Sequence, residues 1–165
     1  MTPAALLLQA IYPGCEIISH LSGRYMGTEP AAVLLLAIAL QETGLKHRQQ
    51  VPVAHARGWW QFEIGGGVAG VMNHPASHLW ARSICHSECV PFSRTRIFQA
   101  IQWHDPLAAA FARLLLWTDL APLPDAADPG ESYEYYERNW RPGKPRAAAW
   151  PANHSLALTT VRSTA

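Results

Sequence analysis

The stretch "LLLAIALQETG", residues 34–44, decides the reading of the chain. Together with Ala31, Ala32 and Val33 it offers no polar helical face before Gln41 and Glu42, the pattern of a helix buried in a core. "GTEP", residues 27–30, supplies the start of that helix: Thr28 as N-cap, Glu29 near the positive end of the dipole, and Pro30 in the first turn. Gly44 is its natural stop. Glu42 therefore belongs to the last turn of a core helix, where poor hydration and the helix's own carbonyls both raise a carboxyl pKa. Such a group either pairs with a nearby base, Lys46 or Arg48, or works as a proton donor.

The rest of the composition frames that helix. At 165 residues, 49% hydrophobic and 15% charged, the chain is long enough for one domain with a sizeable core. A formal net charge of +1 gives no dense basic field, so no nucleic-acid partner is expected. The run Ala31 to Leu40 is short of the roughly 20 residues that span a bilayer. The N-terminal "MTPAALLLQAIYPGC" lacks a basic segment ahead of its apolar run, so no signal peptide, transmembrane segment or stable membrane insertion is expected. Three cysteines, Cys15, Cys85 and Cys89, cannot all pair within the chain and fit a reducing compartment. A monomer is expected.

Start and stop signals predict more helices. Thr2-Pro3 opens the first, which should end before Pro13-Gly14, and a second fits between Cys15 and Tyr25. Helical rhythm returns in "HPASHLWARSICH", "SRTRIFQAIQW", "HDPLAAAFARLLLWTDL" and "ESYEYYERNW", with Asp105 read as a cap before Pro106. Nothing alternates with period two for long enough to make a confident strand. The expected fold class is all-α, a single helical domain over residues 1–165. Its core is expected over 28–143, with a tail at 144–165 made of loop and a short helix after Pro151.

Two motifs in order narrow the reading. "ALQETGL" is followed, after a short polar link, by "ARGWWQFEIGGGVAG". This order resembles the lysozyme-like superfamily, particularly the goose-type lysozymes and soluble lytic transglycosylases. There a catalytic Glu ends a buried helix in a Gln-Glu-Ser type motif and a Gly-x-x-Gln turn follows. Gln41-Glu42-Thr43 and Gly58-Trp59-Trp60-Gln61 match those motifs, with Thr43 in place of the usual Ser. "DPLAAAFARLLLWTDL" and "ESYEYYERNWRPG" resemble the later helix and the tyrosine-bearing closing segment, so the order spans roughly residues 28–143.

The resemblance implies cleavage of the β-1,4 bond between N-acetylmuramic acid and N-acetylglucosamine in peptidoglycan glycan strands, with Glu42 as general acid. In a hydrolytic version a second carboxylate assists, and Glu63 is the leading candidate. In a lytic transglycosylase version Glu42 serves as acid and then base, and the sugar's own 6-hydroxyl closes a 1,6-anhydro ring. Thr43 and Gln61 would line the site, and the family's closing segment would place one tyrosine hydroxyl near Glu42. Tyr136 carries the better case, with Tyr133 and Tyr135 open alternatives.

Seven tryptophans in so small a domain suit a saccharide ligand, because sugar rings present apolar C–H faces to aromatic rings. Trp59, Trp60, Tyr135 and Tyr136 are candidate contacts, whereas Trp80, Trp103 and Trp117 read as core. "CHSEC", with His74 and His78 before it, lacks the spacing of a standard zinc finger, so no metal or cofactor is expected. A Cys-His nucleophile pair, as in a cell-wall peptidase or amidase, is a rival enzyme reading and has no supporting motif around the cysteine. A non-catalytic carbohydrate-binding module is the other alternative. A compact muralytic domain without a signal peptide fits a bacteriophage endolysin held in the host cytoplasm until lysis.

Overall fold

A computed structural model describes residues 1–49 and 55–164. The chain is mostly helical: α1 (Pro3–Leu6), a π-helical turn (Leu7–Ile11), α2 (Tyr12–Ser22), α3 (Glu29–Thr43), α4 (Ala69–Asn73), α5 (His78–Ser87), α6 (Arg94–Ile101), α7 (Asp105–Trp117), α8 (Pro129–Trp140) and α9 (Trp150–Thr164). Two-residue strands, β1 (Ala56–Arg57) and β2 (Phe62–Glu63), pair antiparallel between α3 and a second π-helical turn at Ile64–Val68. The link between the two motifs falls partly at 50–54, outside the described residues.

Helix α3 is the axis of the core. Every residue from Ala31 to Gln41 is buried, so its apolar side chains each stabilise the fold by about 1.5–3 kcal/mol where large. Thr28 holds the N-cap position in extended backbone, and Gly44 ends the helix with φ 56°. Helix α9 packs along α3, α2 packs on α7, and α8 lies against α9.

Two expectations about the ends of the chain are corrected. Helix does not stop before Pro13: it runs unbroken from Pro3 to Ser22. Proline in a helix clashes with the carbonyl four residues back, and the π-helical turn just ahead of Pro13 relaxes that geometry. Gly14 is needed for another reason. A Cβ there would lie 2.6 Å from the Pro106 carbonyl and 2.8 Å from Ala109 Cβ, so its absence lets α2 sit directly on the alanine face of α7. The C-terminal segment is likewise no appendage, because α9 has 15 residues and buries Trp150, His154, Ala157 and Val161. The core therefore extends beyond residues 28–143 at both ends.

One helix, Pro3–Ser22, is long and apolar enough to cross a membrane by length and composition alone, a test that a buried core helix also passes. In this fold Leu6, Leu7, Ala10, Ile11, Cys15 and Ile18 form its buried face, spaced as one side of an amphipathic helix.

Buried aromatics staple the helices through their polar atoms. Trp60 Nε1 donates to the Leu35 carbonyl of α3 at 2.9 Å, and Trp140 Nε1 of α8 donates to the Trp60 carbonyl at 2.9 Å. The Tyr135 hydroxyl donates to the Leu116 carbonyl of α7 at 2.9 Å, and Trp150 Nε1 to the Pro129 carbonyl at 2.9 Å. Each bond lets a large apolar ring enter the core without leaving its donor orphaned.

Candidate active site

The last turn of α3 holds Glu42 between two anchored neighbours. Gln41, 1% exposed, donates from Nε2 to the Arg146 carbonyl at 2.9 Å and accepts from Asn153 Nδ2 of α9 at 2.8 Å. Arg146 in turn donates from Nη2 to the Gln41 carbonyl. On the other side, the Thr43 hydroxyl donates to the Ala39 carbonyl at 2.9 Å and accepts the Leu45 amide at 3.1 Å. Glu42 itself is half-buried and turned into an open cleft.

One partner from the other end of the chain fixes the carboxyl. The Tyr136 hydroxyl donates to Glu42 Oε1 at 2.6 Å, and the Tyr136 ring stacks on Trp150 with centroids 5.0 Å apart and planes 13° from parallel. Burial pushes the Glu42 pKa above the usual carboxyl value, while the Tyr136 hydrogen bond and the Arg146 guanidinium oppose the rise. The balance holds a carboxyl that parts with its proton late, beside two groups that favour the carboxylate once it has.

The cleft encloses about 1340 Å³ between the β2–glycine turn and the segment after α8. Glu42, Gln61, Glu63, Trp140, Arg141 and Lys144 are among its lining residues. Gln61 and Arg141 both hold positive φ, 49° and 48°, without being glycine. That geometry costs on the order of 1–2 kcal/mol per residue, and strain of this kind gathers at functional sites. Gln61 is held there by its own Nε2, which donates to the Gly58 carbonyl at 2.8 Å. In the glycine run, Gly67 is required by packing, since a Cβ would lie 2.4 Å from the Phe62 ring.

The sequence candidates separate into two groups. Glu42, Glu63 and Gln61 face the cleft, and Tyr136 is the tyrosine that reaches Glu42. Trp59, Trp60 and Tyr135 do not line the cleft: all three are buried, and the last two donate to backbone carbonyls of the core. Trp60 and Tyr135 are thereby tied into the core, whereas Trp59 is buried with an Nε1 that has no partner among the described residues. Thr43 also lies outside the cleft lining and secures the helix end.

Neighbouring expectations change as well. Neither Lys46 nor Arg48 pairs with Glu42. Arg48 forms a two-pronged ion pair with Asp105 and lies over the Trp59 ring at 4.4 Å. Asp105 is thus an ion-pair partner, and the cap of α7 is His104, whose Nδ1 accepts the Leu107 amide. Trp103 is 70% exposed and so is not core, whereas Trp80 and Trp117 pack against the core partly buried. Cys85 is buried and its thiol is pushed up to about 12, while His86 is exposed on the same helix. A thiol in that state is not a poised nucleophile. Among the described residues no group of three His, Cys, Asp or Glu side chains is placed to hold a metal ion.

Trp140, Arg141, Lys144 and Arg146 are cleft residues that sequence reasoning missed. The signal was present in "RNWRPGKPR", residues 138–146, where four cations and a tryptophan straddle the point at which Pro142 and Gly143 stop a helix from continuing. Searches of protein-family models, of curated proteins and of solved structures found no match to the chain.

Proposed function

We propose that the chain is a peptidoglycan-cleaving glycosidase of the lysozyme-like kind, with Glu42 as its general acid. The observation that carries this reading is the Glu42 carboxyl itself: desolvated at the end of a core helix, turned into a large cleft, and oriented by the Tyr136 hydroxyl at 2.6 Å. At about 1340 Å³ the cleft exceeds the roughly 300–1,000 Å³ of small-molecule sites and has room for several sugar rings.

In this mechanism Glu42 passes its proton to the glycosidic oxygen as the C–O bond breaks. The Tyr136 hydroxyl and the Arg146 guanidinium stabilise the carboxylate left behind. Glu42 then takes a proton from the incoming nucleophile, which is water in a hydrolase and the sugar's own 6-hydroxyl in a lytic transglycosylase. Glu63 is the other carboxylate of the cleft and is the group that would assist water. A bacteriolytic role, such as that of a phage endolysin, follows from this chemistry.

The test is mass spectrometry of fragments released from purified peptidoglycan by the wild type and by Glu42→Gln. The expected result is muropeptides from the wild type alone, their reducing or 1,6-anhydro ends distinguishing hydrolase from transglycosylase. Equal cleavage by the variant would remove Glu42 from the mechanism. Binding without any fragments would leave a carbohydrate-binding module.

A further inference from the structure

One buried titratable ring has no part in the mechanism above. His154 of α9 is 2% exposed, and its Nε2 has no hydrogen-bond partner among the described residues. His20 and His104 each stand within 3.5 Å of a glutamate, whereas His154 forms no ion pair among the described residues. A buried polar atom without a partner is uncommon, because it gives up its bonds to water and gains none. The ring lies one helical turn beyond Trp150, with centroids 6.2 Å apart. Trp150 bonds through Nε1 to the Pro129 carbonyl at the start of α8, and its indole stacks on Tyr136, whose hydroxyl holds Glu42. His154, Trp150, Tyr136 and Glu42 thus form a series of neighbours that ends at the carboxyl.

Uncharged, the imidazole suits this place. Burial holds its pKa below the usual histidine value of 6.5, and the Asp128 carboxylate is the charge that opposes the shift. Asp128 is engaged elsewhere, its Oδ1 accepting the Gly130 and Glu131 amides at the start of α8. Among the described residues the elements packed on α9 supply no other free anion. Pro3–Leu6 of α1 and Ala147–Ala149 carry no titratable side chain, and in α3 Glu29 pairs with Arg162 while Glu42 is held by Tyr136. From α8, Tyr133 and Tyr136 present phenols to Trp150, and Glu131, Glu134 and Glu137 are exposed. A proton added to the ring is therefore a buried charge without a partner. It is relieved by moving the ring towards water or by drawing Asp128 away from the α8 amides, and either shift disturbs the Trp150–Tyr136 stack.

We propose that His154 is a positioning residue for Glu42: neutral, it keeps Trp150 and Tyr136 in place, and protonated, it loosens the contact of α9 with α8 and shuts the site in acid. The acid limb of the activity profile is thereby assigned to His154 and not to Glu63, the other carboxylate of the cleft. The activity part of this inference rests on the glycosidase reading, whereas the packing part does not. Above pH 6.5 the ring is neutral in the folded and the unfolded chain and has no effect on stability. As pH falls below 6.5 the unfolded chain takes the proton first, so the native state loses stability until the folded ring is protonated as well.

The experiment titrates the full chain, as wild type and as His154→Phe, from about pH 8 to about pH 4. It follows kcat and KM on purified peptidoglycan, near-UV circular dichroism for the packing of the aromatic rings, and the His154 imidazole resonances by NMR. Expected for the wild type is a kcat that falls about tenfold per pH unit along the acid limb with little change in KM, and a near-UV signal that changes together with the His154 resonances. In His154→Phe, which keeps a ring and cannot ionise, the limb and the near-UV change both move at least about one pH unit lower. His154→Gln, smaller and also neutral, is expected to behave alike and serves if the phenylalanine does not fold. A limb and a near-UV change that stay at the wild-type pH in the variants would overturn the proposal, as would a wild-type ring that titrates apart from the near-UV change or stays neutral throughout. If the wild type cleaves nothing, the glycosidase reading fails. The near-UV and NMR titrations then decide for or against His154 on their own, and they do the same if neither variant folds.

Discussion

The Tyr136 hydroxyl donates to Glu42 Oε1 across 2.6 Å, joining residues 94 positions apart in sequence. The bond aims the carboxyl and favours its charged form, in opposition to burial. Tyr136→Phe removes the hydroxyl and keeps the ring that stacks on Trp150. Hydrogen bonds to charged groups contribute about 1.5–3 kcal/mol, so kcat is expected to fall roughly tenfold to a hundredfold with a smaller change in KM. Steady-state kinetics on peptidoglycan fragments checks this, and an unchanged kcat would reduce Tyr136 to a packing residue.

Arg146 acts on the same carboxyl by charge. Its guanidinium lowers the Glu42 pKa against the rise caused by burial, so Arg146→Met is expected to raise it. An acid catalyst loses activity as it ionises, so the alkaline limb of the kcat/KM profile moves to higher pH in that variant, and moves less in Arg146→Lys. A limb that stays in place for both variants would separate Arg146 from catalysis.

Glu42 also links stability to pH. Its folded-state pKa lies above the usual 4.5, so the native state binds this proton more tightly than the unfolded chain does. The stabilisation it provides is complete below the unfolded pKa and is lost as pH rises through the folded one. Glu42→Gln cannot ionise, so the wild type should lose Tm relative to that variant on going from about pH 4 to pH 7. Thermal melts of both proteins give the comparison, and a gap that is constant with pH would contradict the raised pKa.

Gly14 offers a test of the packing. Within a helix, Gly→Ala normally stabilises by about 0.5–1 kcal/mol. Here the new methyl would meet the Pro106 carbonyl at 2.6 Å, so Gly14→Ala is expected to destabilise by about 1–3 kcal/mol in urea unfolding. Gly65→Ala, where nothing lies within 4 Å, serves as the control with little change.

What the sequence made legible was local. Pro30 and Gly44 bracket α3, and the apolar run between them announces a core helix because both signals act within a few residues. Pro13 misled for a matching reason: a proline normally ends a helix, and only the π-helical turn ahead of it lets this one continue. Trp60 could not be assigned from composition, because an indole suits a sugar or a core equally well, and its donor bond to Leu35 is what ties it to the core. The surroundings of Glu42 were the least legible part. Its partners arrive from α8 and from the segment before α9, and no short-range pattern around residue 42 records them.

Gln41 is tied to Arg146 and Asn153, and α9 covers the length of α3. The central helix therefore depends on residues more than a hundred positions later in the chain. On a ribosome, α3 emerges early but meets the partners of Gln41 and Glu42 only after about a hundred further residues have been added, a long loop to close. A nascent or truncated chain without residues 146–161 would keep Glu42 and Tyr136 and lack Arg146, Trp150 and Asn153. Synthesis itself thus delays the assembly of the surroundings of Glu42 until the segment from Arg146 onward has emerged.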